Sequence, residues 1–334
     1  MRLPALVAAL LLAFAPVPLA AQDVALPATP AAWSAPDREL MVPVEGGRVW
    51  VRVNGDLDAG AEPAIFVHGG PGGTHDVFGE ILPLADERAV ILYDQLDSGM
   101  SDHPGDPANW RVERFVAELE AIRQALGVER WHVVGHSWGA ALALEYAAAN
   151  PQHTASAVLA GTYISTPHWI MGTNLLIREL PDAVASDIIA CEAERAPAET
   201  DCAAATNAFY AEFNGRADRP ATSPQAREYR RRFNGRGFNP VLYNAMWGPS
   251  EFSARGTLVG YDGTPLLARV DGSRVLFMIG QYDEARLDTV QDFLRLTPGA
   301  EMAVVPGGSH AFPIERPRET EALLRGWLAR KDAQ

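Results

Sequence analysis

The stretch Gly135-His136-Ser137-Trp138-Gly139 sets a serine between two glycines. It directly follows the β-prone run Trp131-His132-Val133-Val134 and precedes the helix formers of residues 140–149, which Asn150-Pro151 stop. Strand, tight turn and helix in that order put the serine on a cramped bend, with its hydroxyl at the positive end of the helix. Ser137 is therefore the candidate nucleophile. A serine hydroxyl attacks poorly near neutral pH, so it needs an imidazole base, and the base needs a carboxylate to fix its tautomer and stabilise its cation. Asp283 follows a β-prone run that ends at Gly280, and His310 lies in Gly307-Gly308-Ser309-His310 after the next such run. Both fall at carboxyl ends of predicted strands, on the same rim as Ser137. Asp288 is the reserve acid. Among the other histidines, His136 reads as packing around the serine turn and His68 as a brace for a glycine loop. His75, His103, His132, His153 and His168 have no comparable placement. An oxyanion needs donors set around its developing charge. The backbone N–H of Trp138 supplies one, and Gly70 in the bare loop His68-Gly69-Gly70-Pro71-Gly72-Gly73 is chosen for the second.

The elements that must carry these residues are legible from their periodicity. Residues 48–53 alternate polar and apolar side chains and meet Asn54-Gly55, which predicts a half-exposed strand and a turn. Residues 64–67 and 89–93 are continuous apolar runs, suited to a parallel sheet covered on both faces. A helical segment at 77–84 lies between them, and 112–126 has helical spacing. A further strand is predicted at 155–160. Strand and helix alternate throughout this half, the pattern of a mostly parallel, doubly wound α/β sheet whose ligands gather at the carboxyl ends of its strands. The alternation fails over 164–256, where helix-like stretches at 175–189, 203–213 and 226–233 predict an inserted helical cap. Strands at 274–279 and 302–305 and helices at 287–296 and 318–329 then resume it. The division is a leader at 1–21, an N-terminal arm at 22–42, a core of 43–163 with 257–330, and a cap at 164–256.

A chain of 334 residues with 48% hydrophobic content can bury a large core, which excludes disorder. Residues 1–21 join Arg2, an apolar run and the small residues Leu19-Ala20-Ala21, the pattern of a secretory signal peptide cleaved near Ala20 or Ala21. That run is too short for a stable membrane anchor, so export to a periplasmic or extracellular location is expected. The formal charge of −14 makes nucleic acid and anionic lipid poor partners. The cluster Arg227, Arg230, Arg231, Arg232 and Arg236 reads as a solvated helix face. The two cysteines, Cys191 and Cys202, would reach an oxidising compartment together. A bridge closing that short loop is the reading, with two separately buried thiols as the alternative. No histidine cluster lies near them, and no metal or organic cofactor is called for.

Four segments together closely resemble the proline iminopeptidases, α/β-hydrolases of peptidase family S33. They are His68-Gly69-Gly70-Pro71-Gly72, Asp94-Gln95 with Ser98-Gly99 and Ser101, the Ser137 pentapeptide, and Gly280-Gln281-Tyr282-Asp283-Glu284. The segment Met246-Trp247-Gly248-Pro249-Ser250-Glu251-Phe252 resembles the Gly-Pro-x-Glu-Phe segment of the tricorn-interacting aminopeptidase branch. The order Ser, Asp, His is that of α/β-hydrolases. The resemblance implies an α/β-hydrolase fold and release of an N-terminal residue, often proline, from short peptides. It also implies that Glu251 and Glu284 bind the substrate's protonated α-amine, which suits an exopeptidase that must distinguish a free ammonium from an internal amide. Trp138 and Trp247 either wall the pocket or pack the core. Asp97 stands where the family usually has glycine, and Ala140 replaces a common second glycine after the nucleophile turn. An amino-acid amidase or esterase with the same triad is the alternative, with amino-acid amides as its substrates; a non-catalytic binding protein is disfavoured because every triad position is filled. No motif specifies an oligomeric state.

Overall fold

The computed structural model describes residues 32–333, so the predicted leader at 1–21 and residues 22–31 of the predicted arm lie outside the described residues. Strands β1 (Arg38–Val44), β2 (Gly47–Asn54), β3 (Ala64–Val67), β4 (Val90–Tyr93), β5 (Trp131–His136), β6 (Thr154–Ala160), β7 (Val275–Gly280) and β8 (Glu301–Val305) form one sheet. Their order is β1-β2-β4-β3-β5-β6-β7-β8. The pairs β1/β2 and β2/β4 are antiparallel and the rest are parallel. The apolar runs of β3 and β4 are buried at every residue because both faces of the sheet are covered. Ile65 and Val67 join one core and Ala64 and Phe66 the other, as the two-residue period of a strand requires.

Helices α1 (Val112–Leu126) and α2 (Trp138–Ala149) cover the first face. Nearly every residue of α2 is buried, which explains why its composition is apolar all round. Helices α3 (Thr166–Ile177), α4 (Asp182–Glu192), α5 (Cys202–Phe213), α6 (Pro224–Arg230) and α7 (Pro240–Met246) follow with no strand between them among the described residues. Helix α8 (Leu287–Leu296) returns to the first face. Helices α9 (Phe312–Glu315) and α10 (Pro317–Asp332), with the 3₁₀ turns of His75–Asp86, cover the second.

Three expectations change. The arm does not run to residue 42: β1 starts at Arg38, and Trp33 is buried with its indole N–H donating to Glu80 Oε1 at 2.8 Å. Pro43 and the mixed polarity of an edge strand hid that element. Strand β2 is not half-exposed. It lies between β1 and β4, and Arg52 is wholly buried, donating to Asn54 Oδ1 and to the Ser34 carbonyl, each at 2.7 Å. The single helix predicted at 175–189 is two, because Pro181 biases Leu180 out of helical conformation and starts α4 afresh. Cys191 at the end of α4 and Cys202 at the start of α5 form a disulfide, with Cα atoms 5.8 Å apart.

Candidate active site

Strand β5 ends by running straight into α2, and the bend between them is too tight for side chains at its flanks. A Cβ on Gly135 would lie 1.9 Å from the Gly139 carbonyl oxygen, and one on Gly139 would lie 2.1 Å from that of Val67. Ser137 sits at the apex with φ of 57°, a strained left-handed conformation, and its N–H donates to the Ala160 carbonyl at 2.8 Å. Trp138 is the first residue of α2, so its backbone N–H has no acceptor within the helix. Ser137, Gly69, Gly70, His136, Glu251 and His310 line one cavity at the carboxyl ends of the strands.

His310 follows β8, and its Nδ1–H donates to Asp283 Oδ1 at 2.8 Å. Asp283 follows β7 and is fixed in turn, its carboxylate accepting from Gly280 N at 3.0 Å and Ala285 N at 2.9 Å. Nε2 of His310 lies 3.7 Å from Glu284 Oε1. The Ser137 hydroxyl makes no hydrogen bond to His310, a contact that in such sites commonly tightens only around bound substrate. Burial works to lower the His310 pKa, but Asp283, Glu284 and Glu251 outweigh it and carry it up to about 9. Beneath it, His136 is pushed down to about 3 by burial and by His310. Neutral His136 can therefore donate from Nε2 to the His310 carbonyl at 2.7 Å.

Glu251 comes from the segment after α7. Its Oε1 accepts from Tyr243 Oη at 2.7 Å, its N–H donates to Tyr210 Oη at 3.2 Å, and its carbonyl accepts from Trp169 Nε1 at 2.9 Å. Glu284 sits behind the main cavity, where Oε1 accepts from Asn214 Nδ2 at 2.7 Å and Oε2 is buried without a hydrogen bond. Burial raises the pKa of both glutamates, and the nearby Glu251 raises that of Glu284 further.

The early loops interlock around the Ser137 turn. Gln95 after β4 donates to the His68 carbonyl at 2.8 Å and accepts from the Trp138 indole at 3.0 Å, while His68 Nδ1 meets the Gly69 carbonyl at 2.9 Å. Asp97 has φ of 64°, the region where glycine is at ease and aspartate is tolerated, and its carboxylate holds Trp110 Nε1 at 2.8 Å and Gly105 N at 2.7 Å. Ala140 is buried within α2. Trp138 and Trp247 do both things considered for them: each is buried in the core, and each lines a small cleft beside Ser137.

The α/β-hydrolase fold family matches residues 63–317. The proline iminopeptidase of Heyndrickxia coagulans is 35% identical over 291 residues, covering 87% of this chain and 98% of the relative. This chain belongs to the proline iminopeptidases. A second such enzyme, from Levilactobacillus brevis, is 32% identical over 88% of this chain and 97% of its own length. The crystal structure of the Mycobacterium smegmatis proline iminopeptidase matches with a TM-score of 0.77 at 32% identity, covering 89% of this chain and 99% of that one. The chain is thus a prolyl-aminopeptidase-like hydrolase on the α/β-hydrolase fold.

Asp288, the reserve acid, is turned away and bound to Arg286 at 3.0 Å. In the arginine cluster Arg227, Arg231, Arg232 and Arg236 are exposed, as a solvated face requires, while Arg230 pairs with Asp76 at 2.6 Å and Arg232 with Glu39 at 2.7 Å. Tyr210, Asn214, Trp169 and Tyr243, which hold the two glutamates, went unread in the sequence. The spacing of four between Tyr210 and Asn214 puts them on one face of α5, but nothing in that spacing says what the face meets.

Proposed function

We propose that this proline iminopeptidase relative is an exported serine aminopeptidase that removes an N-terminal proline, or another small apolar residue, from short peptides. The observation that carries this reading is the pair of glutamates beside His310, Glu284 buried and Glu251 half-buried at the cavity, neither of which has an Arg or Lys partner among the described residues. Two carboxylates drawn out of water beside a single imidazole are costly, and a substrate ammonium would supply the further cation. With the amine held by Glu251 and Glu284, the first carbonyl lies over Ser137. His310 takes the hydroxyl proton as Oγ attacks, Gly70 and Trp138 N–H groups receive the oxyanion, and His310 passes the proton to the leaving amine before water releases the acyl group. A narrow cleft beside Ser137 is walled by Trp138, Tyr163, Trp169 and Trp247. Its aromatic walls suit an apolar group, and its narrowness disfavours a large side chain.

Export rests on the leader-like residues 1–21, and the Cys191–Cys202 bridge suits an oxidising compartment. An intact Met1 on protein recovered from the periplasm or medium would contradict it. The activity is tested with prolyl, alanyl and phenylalanyl arylamides, each with and without an N-acetyl group. Cleavage confined to free-amine substrates, prolyl first, supports the aminopeptidase; preference for blocked substrates or simple esters supports the amidase or esterase alternative. Ser137→Ala should abolish turnover while the circular dichroism spectrum is unchanged.

A further inference from the structure

The surroundings of His310 raise a difficulty for the reaction just described, on which the following rests. Its imidazole faces three carboxylates: Asp283 and Glu284 from the loop after β7, and Glu251 from the segment after α7. The other polar groups nearby bring no cation to them. His136 lies below with ring centroids 4.7 Å apart and is neutral; Tyr210 and Tyr243 hydrogen-bond Glu251; Asn214 hydrogen-bonds Glu284. Arg230 shares the main cavity but binds Asp76 at 2.6 Å. Arg286, two residues beyond Glu284, is turned to Glu179 and Asp288 at 2.7 and 3.0 Å. Among the described residues the one positive charge available to the cluster is therefore the imidazolium of His310, which opposes the burial that favours neutral glutamates, and a protonated imidazole cannot take the proton of Ser137.

We propose that the substrate's own ammonium switches the base on: by pairing with Glu251 and Glu284 it replaces the imidazolium as their counter-charge and lets the Nε2 proton of His310 leave. The exchange balances. One positive charge enters with the amine and one leaves as a proton to water, so the net charge of the cluster is unchanged. The freed Nε2 lone pair then accepts the Ser137 proton as the Oγ–C bond forms and the carbonyl π pair moves onto oxygen. The 3.7 Å between Nε2 and Glu284 Oε1, and the unpartnered Glu284 Oε2, place the ammonium's seat directly against the base it releases. The free amine is then a requirement of the chemical step as well as of binding, and N-acetylation lowers kcat in addition to raising KM.

The upward shift of His310 to about 9 gives the scale, since a base with that pKa is only about 1% neutral at pH 7. The test uses a small neutral fluorophosphonate, which labels Ser137 through the same base and carries no amine. Its inactivation rate is measured from pH 6 to 10 on the whole protein, in methylammonium chloride and in sodium chloride at equal ionic strength. The expected midpoint is near 9 in sodium chloride, and methylammonium should accelerate labelling at pH 7 by about 10-fold or more. Glu284→Gln should bring the midpoint down toward the ordinary imidazole range with no amine added, a change that mere loosening of the fold would not produce. A midpoint at or below 7 in the unmodified protein, equal rates in the two salts, or a midpoint that Glu284→Gln leaves in place each overturns the proposal. Loss of the aminopeptidase reading itself would show separately, in the arylamide panel.

Discussion

Gly69 stands closer to the candidate nucleophile Ser137 than any side chain could. A Cβ there would lie 2.7 Å from Ser137 Cβ and 3.3 Å from its hydroxyl, with the His136 carbonyl at 3.0 Å. Gly69→Ala must therefore displace the serine or the oxyanion loop. Because misplacement of a reacting atom by about 1 Å lowers rates by about 100-fold, kcat for a prolyl arylamide should fall by about that factor. The strain itself should cost only about 1–3 kcal/mol of stability, readable from the urea midpoint; wild-type kcat would remove the loop from the reacting centre. Glu251 makes a different prediction. Glu251→Gln keeps an acceptor for Tyr243 but removes the charge, and a charge-assisted hydrogen bond contributes about 1.5–3 kcal/mol. Loss of that contact should raise KM for free-amine substrates about 10- to 100-fold, while hydrolysis of a small ester with no amine is spared. Equal losses on both substrates would place Glu251 outside amine recognition.

Helix α5 is the element through which the run of helices α3–α7 reaches the loop that carries His310. At its carboxyl end, the Phe213 carbonyl accepts from His310 N and the Asn214 carbonyl from Ala311 N, both at 2.9 Å, while the Asn214 side chain holds Glu284. At its amino end the helix is tied to α4 by Cys191–Cys202, a separation of 11 residues. Closing so short a loop should stabilise the folded chain by about 2–3 kcal/mol on the chain-entropy account. The double change Cys191→Ser, Cys202→Ser should lower the urea midpoint correspondingly. It should also raise KM for prolyl arylamides more than it lowers kcat, since the released helix carries Tyr210 and Asn214 while Asp283 stays fixed by β7. An unchanged KM in a protein of lowered stability would limit the bridge to a structural role.

At the scale of the whole molecule, a polar chain fastens the last helix to the sheet. Trp327 Nε1 donates to Ser156 Oγ at 3.0 Å, Ser156 meets His132 Nδ1 at 2.8 Å, and His132 Nε2 meets Asp332 at 2.9 Å. Arg88 completes it, donating to Asp332 at 2.8 Å. Burial lowers the His132 pKa, so the ring is neutral and the directions agree: Ser156 donates to Nδ1 and Nε2–H donates to Asp332. Burial acts to raise the Asp332 pKa, but His132 and Arg88 outweigh it and hold it down to about 2. A depressed carboxylate contributes stability that is present above its unfolded pKa of about 4 and is lost as pH falls toward about 2. The urea midpoint of wild type should therefore drop between pH 5 and pH 2 by more than that of Asp332→Asn, and parallel pH profiles would show that the clamp contributes nothing. Because α10 covers the second face of the sheet, the clamp acts on the core rather than on the site.

The sequence by itself determined the alternation of strands and helices in the core, the Ser137 turn and the candidates Asp283 and His310. Each of these is written locally: glycines where backbones nearly touch, apolar runs where a strand is covered twice, a motif at the end of a strand. Family resemblance added Glu251 and Glu284, which no spacing marks. Only the tertiary structure decided that Glu284 lies against Asn214 and His310, that Arg230 and Arg232 meet Asp76 and Glu39, that Arg52 is buried, and that β1 begins at Arg38. Those outcomes depend on which surfaces meet across distant parts of the chain, and a residue's neighbours in sequence carry no record of the charge or cover it finds in space.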